Sequence, residues 1–364
     1  MASMIDYVKW RGDVSFSESP LNAIDALIFS ELSYVHFDDL VPSSVIAKGV
    51  PLSTLSKKFF SLHYDRNKIG AILPTAEIHS LFKLASESRR FSAVCVKGFI
   101  NEVDAKTEKQ FCAMCFDVGK NTTVVTFRGT DDTLIGWKED LNMSFFTPVP
   151  SQKHAVEYLN SVIRRNEREN YFVCGHSKGG NLASYASIKC APEFQSKIKA
   201  SFSFDGPGFK KSFVSASKKC PILSRIYKFS PENTIIGAVF HPVESCYYVE
   251  SNAKGLYQHD AFSWEVLGKG FVLVDSPSKS SLDFHNTLEN LVRNMTDAEK
   301  IEFVDALYRF LTVNDATTLT DIASDKLKFI FGILKTDDKT KKTVFNLMNR
   351  LLKEKYLPSK LKKK

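Results

Sequence analysis

The sequence lacks the long apolar runs that membrane proteins carry. No window of its 364 residues approaches the roughly 18 consecutive apolar residues of a membrane-spanning helix. The opening residues, MASMIDYVKWRGDVSF, place acidic and polar side chains where a secretory signal peptide has an apolar core. Internal repeats and low-complexity stretches are also missing, apart from a lysine-rich end. These absences predict a cytoplasmic protein with a packed globular core.

The cysteines lack the spacing of a disulfide framework or of a metal site. Their number is odd, and they are scattered through the middle of the chain, which favours a reducing compartment. One CxxC pair occurs, but it lies in a run typical of a strand, and no second pair follows. We therefore predict a structural role for the pair, and neither a metal ion nor an organic cofactor for the protein. The seven cysteines are Cys95, Cys112, Cys115, Cys174, Cys190, Cys220 and Cys246.

Positive charge is concentrated at one end of the chain. The formal net charge is +8, and six lysines stand between residues 353 and 364. Such a tail is usually solvated, but it could also attract the protein to an anionic membrane surface. A single aromatic residue, Tyr356, stands among these lysines, without the repeated aromatic–basic pattern of a nucleic-acid site, so nucleic-acid binding is not predicted.

The hydrophobic pattern divides the chain into three regions. Residues 1–90 carry helical periodicity interrupted by prolines, residues 91–275 alternate strands and helices, and residues 276–364 are helical again. This alternation predicts an α/β protein with a mostly parallel, doubly wound sheet and helical additions at both ends. The predicted core strands are 92–100, 110–117, 122–127, 171–174, 200–204, 225–229 and 245–250, and the predicted helices include 153–168, 179–190, 297–310, 318–335 and 338–355.

A G-x-S-x-G pentapeptide lies between a predicted strand and a predicted helix. It reads Gly175-His176-Ser177-Lys178-Gly179 and follows the apolar strand 171–174. A sharp strand-to-helix turn exposes the central serine as a nucleophile, and the next backbone N–H points to the oxyanion. We therefore predict Ser177 as the nucleophile and Lys178 as an oxyanion donor. The alternative is a glycine-rich turn that binds nothing; the Walker and GxGxxG phosphate motifs are absent.

The predicted strand 122–127 runs into a glycine that is followed by a hydroxyl residue, in Arg128-Gly129-Thr130. This segment resembles the Phe-Arg-Gly-Thr/Ser stretch in the oxyanion region of class 3 lipases. The resemblance implies that Thr130 forms part of the oxyanion hole through its backbone N–H and its side chain. Alternatively, Thr130 only caps a turn and Arg128 is a buried salt-bridge partner.

Four further motifs are spread along nearly the whole chain. They are Asp6-Tyr-x-x-Trp10-Arg-Gly-Asp13-x-x-Phe16, Asn22-x-x-Asp25-Ala-Leu, Ser203-Phe-Asp205-Gly-Pro-Gly-Phe209 and Gln258-His259-Asp260-x-Phe262-x-Trp264. Together they resemble the Mbeg1-like family, a branch of the class 3 lipase group. The resemblance implies an α/β-hydrolase fold with a hydrolase or lysophospholipase-like activity.

The general base should follow the nucleophile and the last core strands, because this fold orders its triad as serine, acid, histidine. Three histidines qualify. His259 comes after the strand 245–250 and a turn, where the histidine loop belongs. His241 precedes that strand, and His285 falls in the helical region, so surface or packing roles explain both. We predict His259 as the base.

Two carboxylates compete for the acid. Asp205 ends the strand 200–204, from which some lipases of this fold supply the acid. Glu232 follows the next strand, where ordinary class 3 lipases have an aspartate before Val-Pro, but this sequence departs from that pattern. Asp260 adjoins His259, and neighbouring side chains on an extended loop point apart. We predict Asp205, with Glu232 as the alternative.

These residues predict a serine hydrolase that cleaves carboxylic esters through an acyl-enzyme. A lysophospholipid or another acyl ester is the expected substrate, because the terminal helices are rich in Phe and Leu. A catalytically silent binding protein of the same fold is one alternative. An acyltransferase or thioesterase using the same triad is the other.

Overall fold

A computed structural model describes residues 2–62, 75–166, 168–312 and 316–324, together with 337–338, 340–342, 345 and 349. The lysine-rich end, nearly all of the predicted helix 338–355 and much of the predicted helix 318–335 lie outside these residues. Within the described ranges, no helix is both long enough and apolar enough to cross a membrane.

A nine-stranded sheet forms the centre of the molecule. Its strand order is β1-β2-β3-β4-β5-β6-β7-β8-β11. The five strands β4 to β8 are parallel, whereas β1 to β4 pair in antiparallel fashion and β11 runs antiparallel to β8. The strands are β1 (Val50–Pro51), β2 (Cys95–Asp104), β3 (Lys109–Val118), β4 (Thr122–Phe127), β5 (Asn170–His176), β6 (Ile198–Phe204), β7 (Ile226–Pro231), β8 (Ser245–Val249) and β11 (Leu273–Val274); β9 (Val266–Leu267) and β10 (Gly270–Phe271) pair separately.

Helices cover the sheet and connect its parallel strands. The parallel strands therefore have their carboxyl ends on one edge, where ligand sites of such sheets lie. This topology confirms the predicted α/β-hydrolase class. The helices are α1 (Met4–Arg11), α2 (Ala23–Leu32), α3 (Leu52–Ser61), α4 (Thr75–Glu87), α5 (Leu134–Phe145), α6 (Pro150–Arg165), α7 (Lys178–Lys189), α8 (Pro192–Gln195), α9 (Lys211–Ser217), α10 (Lys279–Arg293), α11 (Asp297–Leu311) and α12 (Leu319–Ser324).

Helix α2 is buried almost all round and packs against β5. Asn22 caps it by accepting from the backbone N–H groups of Ile24 (2.9 Å) and Asp25 (3.1 Å). Asp25 is fully buried and forms an ion pair of 2.6 Å with Arg90, just before β2. A buried charge is tolerated when its partner satisfies it, so this pair anchors the N-terminal helices to the sheet. Helix α2 is thereby held beside β5, the strand that leads to Ser177.

Candidate active site

Ser177 occupies a strained turn between β5 and α7. Its φ is 57° and its ψ is −129°, a conformation that a residue with a side chain rarely adopts. The flanking chain is too close for side chains: a Cβ on Gly179 would collide with the carbonyl oxygen of Phe127 at the end of β4. A Cβ on Gly129 would lie 3.2 Å from the Cβ of Ser177. The predicted oxyanion segment therefore passes directly beside the predicted nucleophile.

His259 and Asp205 are brought together from loops that follow different strands. The Nδ1 of His259 lies 2.6 Å from Oδ2 of Asp205. The other oxygen of Asp205 accepts from the Thr234 hydroxyl at 2.6 Å. Burial opposes ionisation of Asp205, but the hydrogen bonds from His259 and Thr234 hold its pKa below the ordinary value. An ionised Asp205 keeps the proton on Nδ1 and leaves Nε2 of His259 as the proton acceptor.

The alternative acid does not join this pair. Glu232 lies after β7, and its backbone groups bind Val249 and Ser278. Among the described residues, the carboxyl group that is hydrogen-bonded to the His259 ring is that of Asp205. Asp260 instead caps a short helical turn by accepting from the backbone N–H of Phe262 at 3.0 Å.

Lys178 follows Ser177 in the chain, and Thr130 follows Gly129, which packs against Ser177. The hydroxyl of Thr130 donates to Asp140 on α5, so its backbone N–H is the donor left for an oxyanion. Burial raises the pKa of Asp140 to about 6. Lys178 is the first residue of α7, where a backbone N–H has no acceptor within the helix and the helix dipole favours negative charge. Arg128 is buried and pairs with Asp131 at 3.1 Å.

The side chain of Lys178 is buried in an ion pair that the sequence did not suggest. Its Nζ lies 2.6 Å from Oε2 of Glu139 and donates to the carbonyl oxygen of Gln110 at 2.8 Å. Glu139 also accepts from the backbone N–H groups of Gln110 (2.9 Å) and Ser151 (2.8 Å). Each charge is therefore well satisfied, as a buried pair requires. The pair joins α5 to the first turn of α7, and so fixes the oxyanion segment relative to the turn at Ser177.

A second unpredicted pair lies beneath His259. His176 is buried, and its ring stacks on that of His259 with the centroids 4.6 Å apart. Its Nε2 lies 2.9 Å from the carbonyl oxygen of His259. A carbonyl only accepts, so Nε2 carries the proton. The Nδ1 of His176 then faces Oε1 of Glu31 on α2, at 3.4 Å.

Among the described residues, neither Oε1 of Glu31 nor Nδ1 of His176 has a hydrogen-bond partner, and an ionised carboxylate would repel the imidazole lone pair. Burial lowers the pKa of His176 to about 3, with a smaller contribution from the neighbouring His259. Burial also raises the pKa of Glu31 well above its ordinary value, reinforced by Asp260. The proton therefore resides on Glu31. The sequence signal for this pair was weak: Glu31 is a second acidic residue, after Asp25, in the mostly apolar helix α2.

Comparison with known proteins identifies the family. Solved structures similar to this chain include M37 lipase (12% identity, TM-score 0.32, covering 59% of this chain and 68% of that one). A second is a triacylglycerol lipase from Penicillium expansum (13% identity, TM-score 0.32, covering 50% of this chain and 81% of that one). A third is a lipase–propeptide complex from Rhizomucor miehei (12% identity, TM-score 0.34, covering 64% of this chain and 69% of that one). Among curated proteins, none matches the chain. The sequence model of the Mbeg1-like family matches residues 85–309, more than half of the chain, and the protein therefore belongs to the Mbeg1-like family.

Proposed function

We propose that this protein is a serine hydrolase that cleaves carboxylic esters with Ser177, His259 and Asp205. The observation that carries the proposal is the 2.6 Å contact between His259 and the buried Asp205, together with a serine held at positive φ in a strand-to-helix turn. The N–H of Ser177 donates to the carbonyl oxygen of Phe204, the residue before Asp205, at 2.8 Å. A purely structural turn has no need of either feature. Together they are what a nucleophile and its oriented base require.

The reaction follows from the chemistry of these groups. His259 accepts the Ser177 proton through Nε2 as the hydroxyl attacks the ester carbonyl, and Asp205 stabilises the resulting imidazolium. The backbone N–H groups of Lys178 and Thr130 donate to the oxyanion of the tetrahedral intermediate. The imidazolium returns its proton to the departing alcohol, which leaves an acyl-enzyme. Water, deprotonated by His259, then releases the acid and restores the serine.

A fluorophosphonate probe tests the nucleophile, because it reacts with an activated serine and requires no knowledge of the substrate. We expect the wild type to be labelled and Ser177→Ala not to be labelled. Ser184, on the buried face of α7, offers a matched control: Ser184→Ala should still react. Labelling of Ser177→Ala at the wild-type rate, or no labelling of the wild type, would exclude this nucleophile and favour a silent binding protein.

For the substrate we propose an acyl ester of the lysophospholipid type. Helix α11 packs on α5, which follows the oxyanion segment, through an edge-to-face contact of Phe303 with Phe145 at 6.3 Å. On α11, the apolar side chain of Ile301 is half exposed and available to an acyl chain. The lysine-rich end would add attraction to an anionic membrane surface.

Turnover of esters with increasing chain length tests this substrate class. Activity that rises from acetyl to longer acyl esters and extends to lysophospholipids supports it, whereas activity confined to acetyl esters opposes it. Adding thioesters and alcohol acceptors to the same assay distinguishes ester hydrolysis from the alternative thioesterase or acyltransferase reaction.

A further inference from the structure

Two histidines and one glutamate that are not part of the proposed triad form a cluster. His285 and Glu289 are one turn apart on α10, and His241 comes from the loop between β7 and β8. The Nε2 atoms of both histidines lie 3.7 Å from the same oxygen, Oε2 of Glu289. All three potential ligand atoms lie within 4.8 Å of one another. Side chains that are distant in sequence therefore converge on one point.

The orientation of His285 is fixed by its other ring nitrogen. Nδ1 lies 2.7 Å from the carbonyl oxygen of Ala238, so it must carry the proton. Nε2 is then the ring nitrogen that faces the carboxylate oxygen of Glu289. A cation between these two atoms would be bound by both. A backbone carbonyl on the distal nitrogen is also how metal-binding histidines are commonly held.

The backbone around His241 is held equally firmly. Its N–H donates to the carbonyl oxygen of Phe209 at 3.1 Å, and its own carbonyl accepts from the N–H of Phe209 at 2.7 Å. Lys211 occupies the other oxygen of Glu289, which leaves Oε2 as a single ligand atom. His241 and His285 also line a cavity of about 170 Å³, with room for an ion and its water ligands.

We propose that His241, His285 and Glu289 bind Zn²⁺. Two imidazole nitrogens and one carboxylate oxygen suit zinc, whereas Ca²⁺ and Mg²⁺ prefer oxygen ligands. Tetrahedral zinc with bonds of about 2.0–2.2 Å holds neighbouring ligand atoms about 3.4 Å apart. The observed 3.7 Å between each nitrogen and Oε2 is close to that spacing. Water would complete the coordination.

Zinc at this point would fasten α10 to the core. The loop that carries His241 also carries Thr234, which donates to Asp205. Helix α10 already contacts this loop through Ser281, whose hydroxyl donates to the carbonyl oxygen of Thr234 at 2.7 Å. The ion would add a second attachment on the same side, and its role is therefore to stabilise the docking of the C-terminal helices.

Metal titration of the full chain tests the site independently of catalysis. After removal of metals with a chelator, we expect the wild type to bind one Zn²⁺ at the cluster with a Kd of about 1 µM or tighter. Co²⁺ should give the strong visible absorption of four- or five-coordinate cobalt. His285→Gln keeps a donor for Ala238 but removes the ligand, and should weaken Zn²⁺ binding at least about tenfold.

The matched control is His36→Gln, because His36 also lies 3.7 Å from a carboxylate, that of Asp38, outside the cluster. It should bind Zn²⁺ as the wild type does. The free cysteines are common to all variants, so a difference reports on the cluster. Glu289→Gln, which removes the ligand from a partly exposed position, repeats the test if His285→Gln folds poorly. Equal Zn²⁺ affinity in the wild type and both ligand variants, or no binding to the wild type, would overturn the proposal.

Discussion

Replacing Glu31 by Gln should stabilise the folded protein increasingly as the pH rises. Burial raises the pKa of Glu31 well above its ordinary value of 4.5. The folded chain therefore retains a proton that the unfolded chain releases. The contribution of this carboxyl to stability is full below pH 4.5 and is lost as the pH rises towards the folded-state pKa. Each pH unit in that interval lowers the free energy of unfolding by about 1.4 kcal/mol.

His176 changes the pH dependence of wild-type stability in the opposite direction. Its pKa falls from 6.5 to about 3 on folding, so it contributes stability above pH 6.5 that is lost as the pH falls. Between pH 4.5 and 6.5 the two slopes cancel, because the folded and the unfolded pair each hold one proton. Above pH 6.5, ionisation of Glu31 in the unfolded chain is no longer offset by His176, so the stability of the wild type should fall as the pH rises. Tyr34, Asp260 and His259 also face the pair, and they are unchanged in the variant.

Urea unfolding of the wild type and Glu31→Gln, followed by tryptophan fluorescence, measures the effect. Their difference in unfolding free energy should grow in favour of Gln by about 1.4 kcal/mol per unit from about pH 5 towards the folded-state pKa of Glu31. The Gln amide could donate to Nδ1 of His176, which has no hydrogen-bond partner among the described residues. A constant difference between wild type and Gln across this range would mean that Glu31 is ionised when folded, and would refute the reasoning.

Three further predictions concern the proposed catalytic groups. Asp205→Asn should lower kcat for a chromogenic ester by about 10⁴, because the base is no longer held in the correct tautomer; an unchanged kcat would return the role to Glu232. Thr130→Val keeps the backbone donor and should lower kcat less than about tenfold, whereas a loss of about 10²–10³ would show that the hydroxyl itself binds the oxyanion. Lys178→Met should lower the free energy of unfolding by about 3–5 kcal/mol, because it leaves Glu139 charged and buried. Adding Glu139→Gln should restore most of this stability in chemical denaturation, whereas additive losses would argue against the ion pair.

The sequence predicts those features that depend on local pattern. The strand and helix on either side of Ser177 follow from apolar periodicity, and the turn follows from its two glycines. Helix α5 was not predicted, because Lys138 and Glu139 interrupt its apolar pattern. Both are buried in the structure, so these charges belong to the inner face.

Long-range partners were beyond the reach of sequence analysis. Asp205 and Glu232 each follow a strand at the same edge of the sheet, so their sequence positions alone could not identify the partner of His259. Glu31 meets His176 only because α2 packs across β5, and nothing in the local sequence of either residue specifies the other. Tertiary packing chooses such pairs, and it leaves little trace in a single sequence.

The position of helix α2 determines how small a working fragment of this protein could be. The family match begins at residue 85, yet Glu31 contacts His176 and the hydroxyl of Tyr34 packs against Gly129. A fragment cut at the family boundary would retain every proposed catalytic residue and still lose the support beneath the histidine and the oxyanion segment. Inactivity of such a fragment would reflect the loss of helix α2 and Tyr34, and would give no evidence about the chemistry of Ser177.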